Sequence, residues 1–306
     1  MTNTLDDQPI IIIVGASRGL DRGMALARAC GPWKRSRLQP MSTTDETDEL
    51  SRVAAAKAGE HGAFDLLVRP LLPRLNAFAT RMVSHPDDAA ELVQDSLLKA
   101  HQSLAGFRED ASFSTWMFAI LTRRCLDHLR KRRRWRWDAQ VQTRADPDAP
   151  HAKILGMLRA PEAQFDAREH IAFCFSCVSR SLPPEEAAAI FLREVYGYGN
   201  REAAKICGIS ESVLRHRLSA GRRAMQDAYE DLCGLINKNG VCHQCAGLRD
   251  QVAPERRGAP IPPIPRDPDE GYRVRLRVVE DARIADGELG ELHRIMARAI
   301  EASESR

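Results

Sequence analysis

Apolar side chains recur at helical spacing through the middle of the chain. The stretches FDLLVRPLLPRLNAFATRMV and AAELVQDSLLKAHQSL carry apolar residues three and four positions apart, which is the pattern of an amphipathic helix. Pro86, with two acidic residues after it, marks a helix start between them. A further helix is predicted from about Ser112 into a basic tract. We therefore predict a compact helical bundle over residues 63–137.

A second helical unit is predicted over residues 166–232. Its central stretch is SLPPEEAAAIFLREVYGYGNREAAKICGISESVLRHRLSAGRRAM. Ala203 and Ala204 are small enough for two helices to cross closely, Gly208 permits a tight turn, and Ser210 can cap the helix that follows. This pattern predicts a helix-turn-helix.

The last helix of this unit has two faces of different character. Its apolar face contains Leu214, Leu218, Gly221 and Met225, at positions i, i+4, i+7 and i+11. The outward face is small, polar and basic, which suits a helix that lies in a DNA major groove. The candidate DNA-binding residues on and beside it are Ser212, Arg215, His216, Arg217, Ser219, Arg222 and Arg223.

The segments around these two units are less regular. Residues 138–165 carry three prolines without sustained periodicity and predict a flexible linker. In residues 233–306, a Pro-rich spacer precedes YRVRLRVVEDARI, which alternates like a strand, and GELGELHRIMARAIEAS, which has helical spacing. The predicted fold is all-α: two helical domains joined by a flexible linker, plus a small strand-helix C-terminal tail.

The first 40 residues do not fit this helical pattern. They contain IIIIVGASRGLDRGMALARA, which resembles the start of a short-chain dehydrogenase nucleotide site, but Asp21 stands where that family has its last glycine. The further strands of a dinucleotide-binding fold do not follow. Met41 then opens residues 41–62, an acidic polar leader typical of a disordered N-terminus. We expect Met41 to be the functional start, or residues 1–40 to be a fused fragment.

Positive charge is concentrated in one tract, although the 306-residue chain has a net charge of only +3. Eight Arg and Lys residues stand between Arg123 and Arg136 against one acid, Asp127, with Trp135 among them. Such a tract repels itself unless something negative lies beside it, which indicates a nucleic acid. Apolar runs such as the five residues from Ile10 are too short to span a membrane, and no secretory leader precedes that run, so we expect a cytoplasmic protein without membrane contact.

The two helical units, in this order, resemble the second and fourth domains of extracytoplasmic-function sigma factors, which are specificity subunits of bacterial RNA polymerase. The resemblance covers roughly Phe64 to Met225. It implies that the chain binds core RNA polymerase and promoter DNA at the −35 and −10 elements and assists promoter melting. It also implies no catalytic role and no cofactor requirement.

The resemblance also assigns residues to two further surfaces. The helix AAELVQDSLLKAH corresponds to the one that docks on core polymerase, so the expected contacts are Glu91, Leu92, Gln94, Asp95 and Leu98. The loop LAGFREDASF corresponds to the segment that captures a base flipped from the −10 element, and aromatic faces with a positive groove suit a melted strand. The expected −10 contacts are Phe107, Trp116, Arg123, Arg124, His128, Arg130 and Lys131. Trp116 could equally belong to the core.

Two other functions remain open from the sequence. A stand-alone helix-turn-helix regulator would explain the second unit, but it has no need of a basic aromatic helix that holds melted single strand. An oxidoreductase based on residues 10–29 would require strands that the chain does not supply.

The cysteines allow a structural zinc site. Cys242 and Cys245 form a CxxC pair in a polar segment, and Cys174 and Cys177 form a second pair, so the four thiolates could hold one zinc ion that pins the tail to the fourth domain, with Cys233 or His243 as further ligands. The alternatives are that Cys174 and Cys177 are buried small hydrophobes, or that the thiols sense redox conditions. The tail itself is expected to fold against the fourth domain or to bind a regulator such as an anti-sigma factor.

Overall fold

The computed structural model describes residues 43–83, 85–131, 156, 158–161, 167–232, 248–258, 270, 271, 273, 274 and 276. All of them belong to one unit, Leu38–Arg306. The segment resembling a nucleotide site and the predicted helix at 287–303 lie outside the described residues. Within the described residues, no helix combines the length and the apolar character that a bilayer crossing requires.

The first domain is a helical bundle, as the periodicity predicts. Its helices are α1 Thr43–Lys57, α2 Ala63–Val68, α3 Leu72–Val83, α4 Pro86–Ser103 and α5 Phe113–Lys131, with a 3-10 turn at Leu104–Gly106. Helices α3, α4 and α5 pack on one another around Phe78, Leu97 and Phe118, which are fully buried. The start of α4 at Pro86 is confirmed, and the preceding His85 accepts the Asp88 backbone N–H at 3.4 Å.

The prediction of a disordered polar leader at residues 41–62 is wrong for most of its length, because α1 occupies Thr43–Lys57. The alanines near the end of this segment have high helix propensity. Val53 is 1% exposed, and α1 packs on α2. A mainly polar helix therefore gains its stability from one buried face.

The second domain contains the predicted helix-turn-helix. Its elements are α6 Ala167–Ser179, α7 Pro184–Ile190, a π-helical turn Phe191–Val195, α8 Asn200–Cys207 and α9 Glu211–Leu232. Gly208 ends α8 with φ of 65°, a left-handed conformation that glycine adopts without steric cost. Gly221 allows α7 and α9 to approach, because a Cβ at this position would lie 2.8 Å from Ile190 Cδ1.

Part of the predicted linker is structured. Gly156, Leu158 and Arg159 are helical, and Leu158 is 4% exposed. The Arg159 guanidinium donates to Gln251 Oε1 at 2.9 and 3.0 Å, so this part of the linker contacts the C-terminal tail. Burial of the apolar Leu158 side chain stabilises this segment. This stabilisation opposes the flexibility that the prolines predict.

The strand predicted at residues 272–284 is not found at its described positions. Residues 270, 271, 273, 274 and 276 are helical, and Val274 and Leu276 are buried. A two-residue alternation this short does not separate strand from helix, and arginine and leucine both have high helix propensity.

Buried His170 makes the stability of the second domain depend on pH. Burial lowers the pKa of this imidazole to about 4, from an ordinary value near 6.5. The native state thus holds His170 neutral, whereas the unfolded chain takes up a proton as the pH falls below about 6.5. The stabilisation is complete above that pH and is lost progressively toward pH 4, by at most about 3 kcal/mol.

We expect His170→Gln to flatten this dependence. Urea unfolding of wild type and variant at intervals between pH 7.5 and 4.5 measures the difference, and other titrating groups cancel in the comparison. The same replacement at exposed His61 is the control. Parallel pH profiles for the wild type and His170→Gln would contradict the expectation.

Candidate nucleic-acid interface

The outward face of α4 carries four of the five residues predicted to contact polymerase. Glu91, Gln94, Asp95 and Leu98 are exposed, and Leu98 presents 45% of its surface. Leu92 is 8% exposed and belongs to the core of the bundle. The exposed face combines carboxylates, an amide and one large apolar side chain.

The residues predicted to contact the −10 element are distributed between the surface and the core. Arg123, Arg130 and Lys131 are exposed, whereas Arg124, His128 and Trp116 are half-buried. The remainder of the basic tract, residues 132–137, lies outside the described residues. His128 Nε2 is 3.5 Å from a carboxylate oxygen of Asp88 on α4, so a side chain predicted to contact DNA also joins two helices of the bundle.

Phe107 does not lie at the surface, unlike the prediction for a residue that captures a base. Its side chain is 5% exposed, and its ring centroid is 5.0 Å from that of Trp116 and 5.9 Å from that of Phe113. These rings pack beneath the loop that joins α4 to α5. In this conformation Trp116, the half-buried member of the cluster, is its accessible aromatic.

The faces predicted for the helix-turn-helix are confirmed in α9. Leu214, Leu218, Gly221 and Met225 are all buried. The predicted DNA-facing side chains Ser212, Arg215, His216, Ser219, Arg222 and Arg223 are exposed, and Arg217 is half-buried.

Two of the arginines near the outer face of α9 lie beside acids of their own domain. Arg222 forms an ion pair with Glu194 of the π-helical turn. Arg215 Nη1 lies 3.8 Å from Glu211, one turn earlier in α9. These pairs hold both guanidinium groups at the helix surface, where exposed ion pairs contribute little to stability and can be exchanged for phosphate.

Sequence reasoning missed a contact between the two domains at Tyr196 and Tyr198. Both side chains, in the turn before α8, are buried, at 8% and 1% exposure. The Tyr196 ring packs 5.5 Å from Phe78 of α3 and 5.6 Å from Phe118 of α5, measured between centroids. The Tyr198 hydroxyl lies 3.1 Å from Ser114 Oγ. Two aromatics in a glycine-containing turn were the signal that could have indicated this contact.

Two arginines of α3 complete this contact. The Arg81 guanidinium donates to the Tyr196 hydroxyl at 2.8 Å and lies 5.4 Å from the centre of its ring. The Arg74 guanidinium lies 5.7 to 5.8 Å from the rings of Phe118, Tyr196 and Tyr198. Burial raises the pKa of the Tyr196 phenol, while the Arg81 charge opposes that shift. The tyrosine is therefore a neutral partner for both cations.

Polar contacts extend the domain interface on both sides. Arg130 of α5 donates to Glu185 of α7 at 2.9 Å and also to Asp127 at 3.0 Å. Burial raises the pKa of Glu185, but hydrogen bonds from the backbone and from Arg130 outweigh it and leave the pKa below its ordinary value. Lys205 Nζ of α8 donates to the Asp110 carbonyl at 2.8 Å. Glu185 of the second domain thus pairs with Arg130, a cation predicted to contact the −10 element.

The zinc site stays a prediction. No cluster of three or more His, Cys, Asp or Glu side chains suited to a metal ion occurs among the described residues. Cys177 is buried in α6 and Cys174 is half-buried. Cys233, Cys242, His243 and Cys245 lie outside the described residues.

Comparisons with known proteins match both helical domains. Residues 67–135 match Sigma-70 region 2, and residues 173–225 match Sigma-70, region 4. The chain belongs to the extracytoplasmic-function sigma factors. The helix-turn-helix formed by α8 and α9 lies in the part of this sigma factor that matches region 4.

Curated relatives agree with this assignment. The sigma factor is 29% identical over 177 residues to the ECF RNA polymerase sigma factor SigM of Mycobacterium tuberculosis, which covers 58% of this chain and 82% of the relative. It is 28% identical to the RNA polymerase sigma-H factor of Pseudomonas aeruginosa, over 63% of this chain and 98% of the relative. A solved complex of sigma factor RpoE with anti-sigma factor NepR from Bartonella quintana covers 55% of this chain and 96% of that one, at 25% identity and a TM-score of 0.39.

The partners of this sigma factor are core RNA polymerase and promoter DNA. It directs the polymerase to promoters through the −35 and −10 elements and assists their melting. A stand-alone helix-turn-helix regulator does not explain the match to region 2.

Proposed function

We propose that the exposed face of α4 is the surface by which this sigma factor docks on core polymerase. Glu91, Gln94, Asp95 and Leu98 form this face, and Leu92 supports it from the core. Leu98 is one of the few large apolar side chains at the surface of the described residues, and its position among the exposed polar side chains of α4 makes it accessible to a partner.

The −10 surface combines the loop at 104–112 with the basic end of α5. Arg123, Arg124, Arg130 and Lys131 supply positive charge for the single-stranded backbone, and Trp116 offers an aromatic ring on which a base can stack. Phe107 supports this ring from below. Melting is then assisted because the unstacked strand gains these contacts.

The −35 surface is the outer side of α9. Its small polar residues and Arg215 and His216 face outward near the N-terminal end of the helix, which is the part of a recognition helix that reaches base edges. Arg222 and Arg223 lie two turns further on and are suited to phosphates. The assignment of residues 63–137 to the −10 element and of 166–232 to the −35 element follows from these two surfaces.

Promoter binding requires the two domains to separate. The names −35 and −10 correspond to about 25 base pairs, or about 85 Å of B-DNA at about 3.4 Å per base pair. In the structure Glu185, on a helix that packs against α9, contacts Arg130 of the −10 surface at 2.9 Å. In this closed arrangement, the −10 surface and the −35 surface cannot reach their promoter elements at the same time. Once the domains are apart, the tether raises the effective concentration of the second contact.

The protein acts in the cytoplasm, where the polymerase is, and has no catalytic activity of its own because RNA synthesis belongs to the core enzyme. A regulator such as an anti-sigma factor would act by holding the domains closed or by covering the α4 face.

Run-off transcription tests the proposed function directly. Core polymerase with the purified protein should produce transcripts from a narrow set of genomic fragments, and core polymerase alone should not. Replacement of Leu98 by Asp should abolish this activity and co-purification with core, because a charge replaces an apolar contact. Absence of transcripts from every fragment would contradict the function. Full activity of Leu98→Asp would contradict the docking surface.

Substitutions in α9 separate base reading from phosphate binding. Arg215→Ala or His216→Ala should change the preferred −35 sequence, with each lost base contact costing about 1 to 3 kcal/mol. Arg223→Ala should weaken binding to all sequences alike and lower the salt slope by about 1. Anisotropy titrations on a panel of −35 duplexes at several salt concentrations measure both effects. An identical, sequence-independent loss for Arg215→Ala and Arg223→Ala would refute the assignment of roles.

Energy transfer between labels on the two domains tests their separation. Non-canonical amino acids at the exposed positions Gln102 and Ala224 can carry the dyes. Transfer efficiency should be high in the free protein and fall in the complex with core and promoter. Glu185→Arg should lower it in the free protein, because it places a second cation beside Arg130. Asp227→Arg, the same charge change at an exposed position of α9, should leave it unchanged. Unchanged high transfer in the promoter complex would rule out separation.

A further inference from the structure

The loop at 104–112, which joins α4 to α5, is held by contacts that are distant in sequence. We refer to residues 104–112 as the −10 loop. Only its first residues are regular, in the 3-10 turn Leu104–Gly106. Glu109 has φ of 62°, the one left-handed residue other than glycine in the described part of the chain. Such a conformation is sterically unfavourable for a residue other than glycine and persists where the surroundings impose it.

Lys57, the last residue of α1, contacts the centre of the −10 loop. Its ammonium donates to the Phe107 carbonyl at 2.7 Å and to the Glu109 carboxylate at 2.5 Å. It also lies 5.6 Å from the centre of the Phe107 ring. One cation thus contacts the residue in the left-handed conformation, the backbone two residues earlier and the aromatic ring that supports Trp116.

Glu49, two turns earlier in α1, contacts the far end of the same loop. Its carboxylate accepts the Phe113 N–H at 2.9 Å, at the first residue of α5. This N–H is one of those that a helix leaves without an intrahelical partner, and a carboxylate there also interacts favourably with the helix dipole. Within the loop, Ser112 Oγ accepts the Thr115 N–H at 3.1 Å. The end of the loop and the start of α5 are therefore fixed together.

We infer that Lys57 and Glu49 are positioning residues that set the shape of the −10 loop and so its discrimination among bases. This inference rests on the proposed role of the loop in base capture. Neither residue needs to touch DNA. The two contacts are partly exposed, so their effect on overall stability is small. Their consequence is preorganisation: a loop already in its binding conformation does not have to be ordered when the base enters.

A different role for Lys57 would be direct contact with a DNA phosphate. The two roles predict different measurements. Loss of a phosphate contact weakens binding to all sequences alike and lowers the salt slope. Loss of a positioning contact reduces the difference between correct and incorrect bases and leaves the salt slope unchanged.

The test uses holoenzyme assembled from core polymerase and full-length chain. The wild type first selects a preferred −10 sequence from a random library of single-stranded oligonucleotides. The test oligonucleotides carry this sequence, and each of the four bases is placed in turn at the positions where the wild type shows the strongest preference. Lys57→Met removes the ammonium and keeps the length of the side chain. We expect it to reduce discrimination between preferred and other bases about fivefold to thirtyfold. The affinity for core polymerase and the affinity for the −35 duplex should not change. The salt slope should also stay the same.

Matched variants make the result specific. Arg52→Met removes a cation from the same helix, whose partner Asp48 is also in α1, and should leave discrimination intact. Lys57→Arg should restore part of the discrimination, and Glu49→Ala should reduce it, whereas Glu49→Gln, which can still accept the Phe113 N–H, should reduce it less.

The outcomes separate this inference from the proposed function. Wild-type holoenzyme that binds all the oligonucleotides equally would overturn the role of the loop in base capture. If the wild type discriminates and Lys57→Met discriminates equally well, the positioning role is wrong. A uniform loss of affinity with a lower salt slope would assign Lys57 to a phosphate. Joint loss of core binding, −35 binding and thermal stability would assign it to the fold alone.

Discussion

The two domains of this sigma factor meet where Tyr196 and Tyr198 are buried against Arg74 and Arg81. The Arg81 side chain is 6% exposed, and burial of a cation is costly unless polar or aromatic groups surround it. The Tyr196 hydroxyl and the aromatic ring faces supply those groups. Because the tyrosines stand in the turn before α8, this contact fixes the orientation of α8, and with it α9, relative to the first domain.

The same interface determines which surfaces are available. It pairs Arg130, a residue of the proposed −10 surface, with Glu185, while the Arg130 side chain stays 54% exposed. In the proposed mechanism, it also keeps the −35 helix too close to that surface for simultaneous binding. The α4 face is exposed in the same arrangement. In the proposed mechanism, polymerase docks on this face before the domains separate, and the free energy of docking and DNA binding offsets the loss of the tyrosine contacts.

Local and distant contacts contribute differently to the two DNA surfaces. The outer face of α9 needs only a regular helix with one buried side, since Leu214, Leu218 and Met225 orient it. The −10 loop has little regular structure and depends on Lys57 and Glu49 of α1. Each of these contacts contributes little to the stability of the fold, yet together they select one loop conformation. A helix with no predicted role thus supports the less regular of the two surfaces.

The sequence by itself determined the helices, the helix-turn-helix and the two faces of α9, because apolar spacing and a glycine at a left-handed turn are local signals. Four of the five α4 residues that the family resemblance assigned to polymerase contact are exposed, whereas Leu92 is buried. Only the tertiary structure decided that Phe107 is buried beneath Trp116, that the leader forms α1, and that Tyr196 joins the domains. Tyr196 contacts Arg81, 115 residues away, and α1 contacts Phe107 and Phe113 through Lys57 and Glu49, 50 and 64 residues away. Periodicity and propensity are local signals and carry no information about such distant partners. The described positions of the predicted strand are helical for a related reason: a short alternation has no conformation of its own until its neighbours supply one.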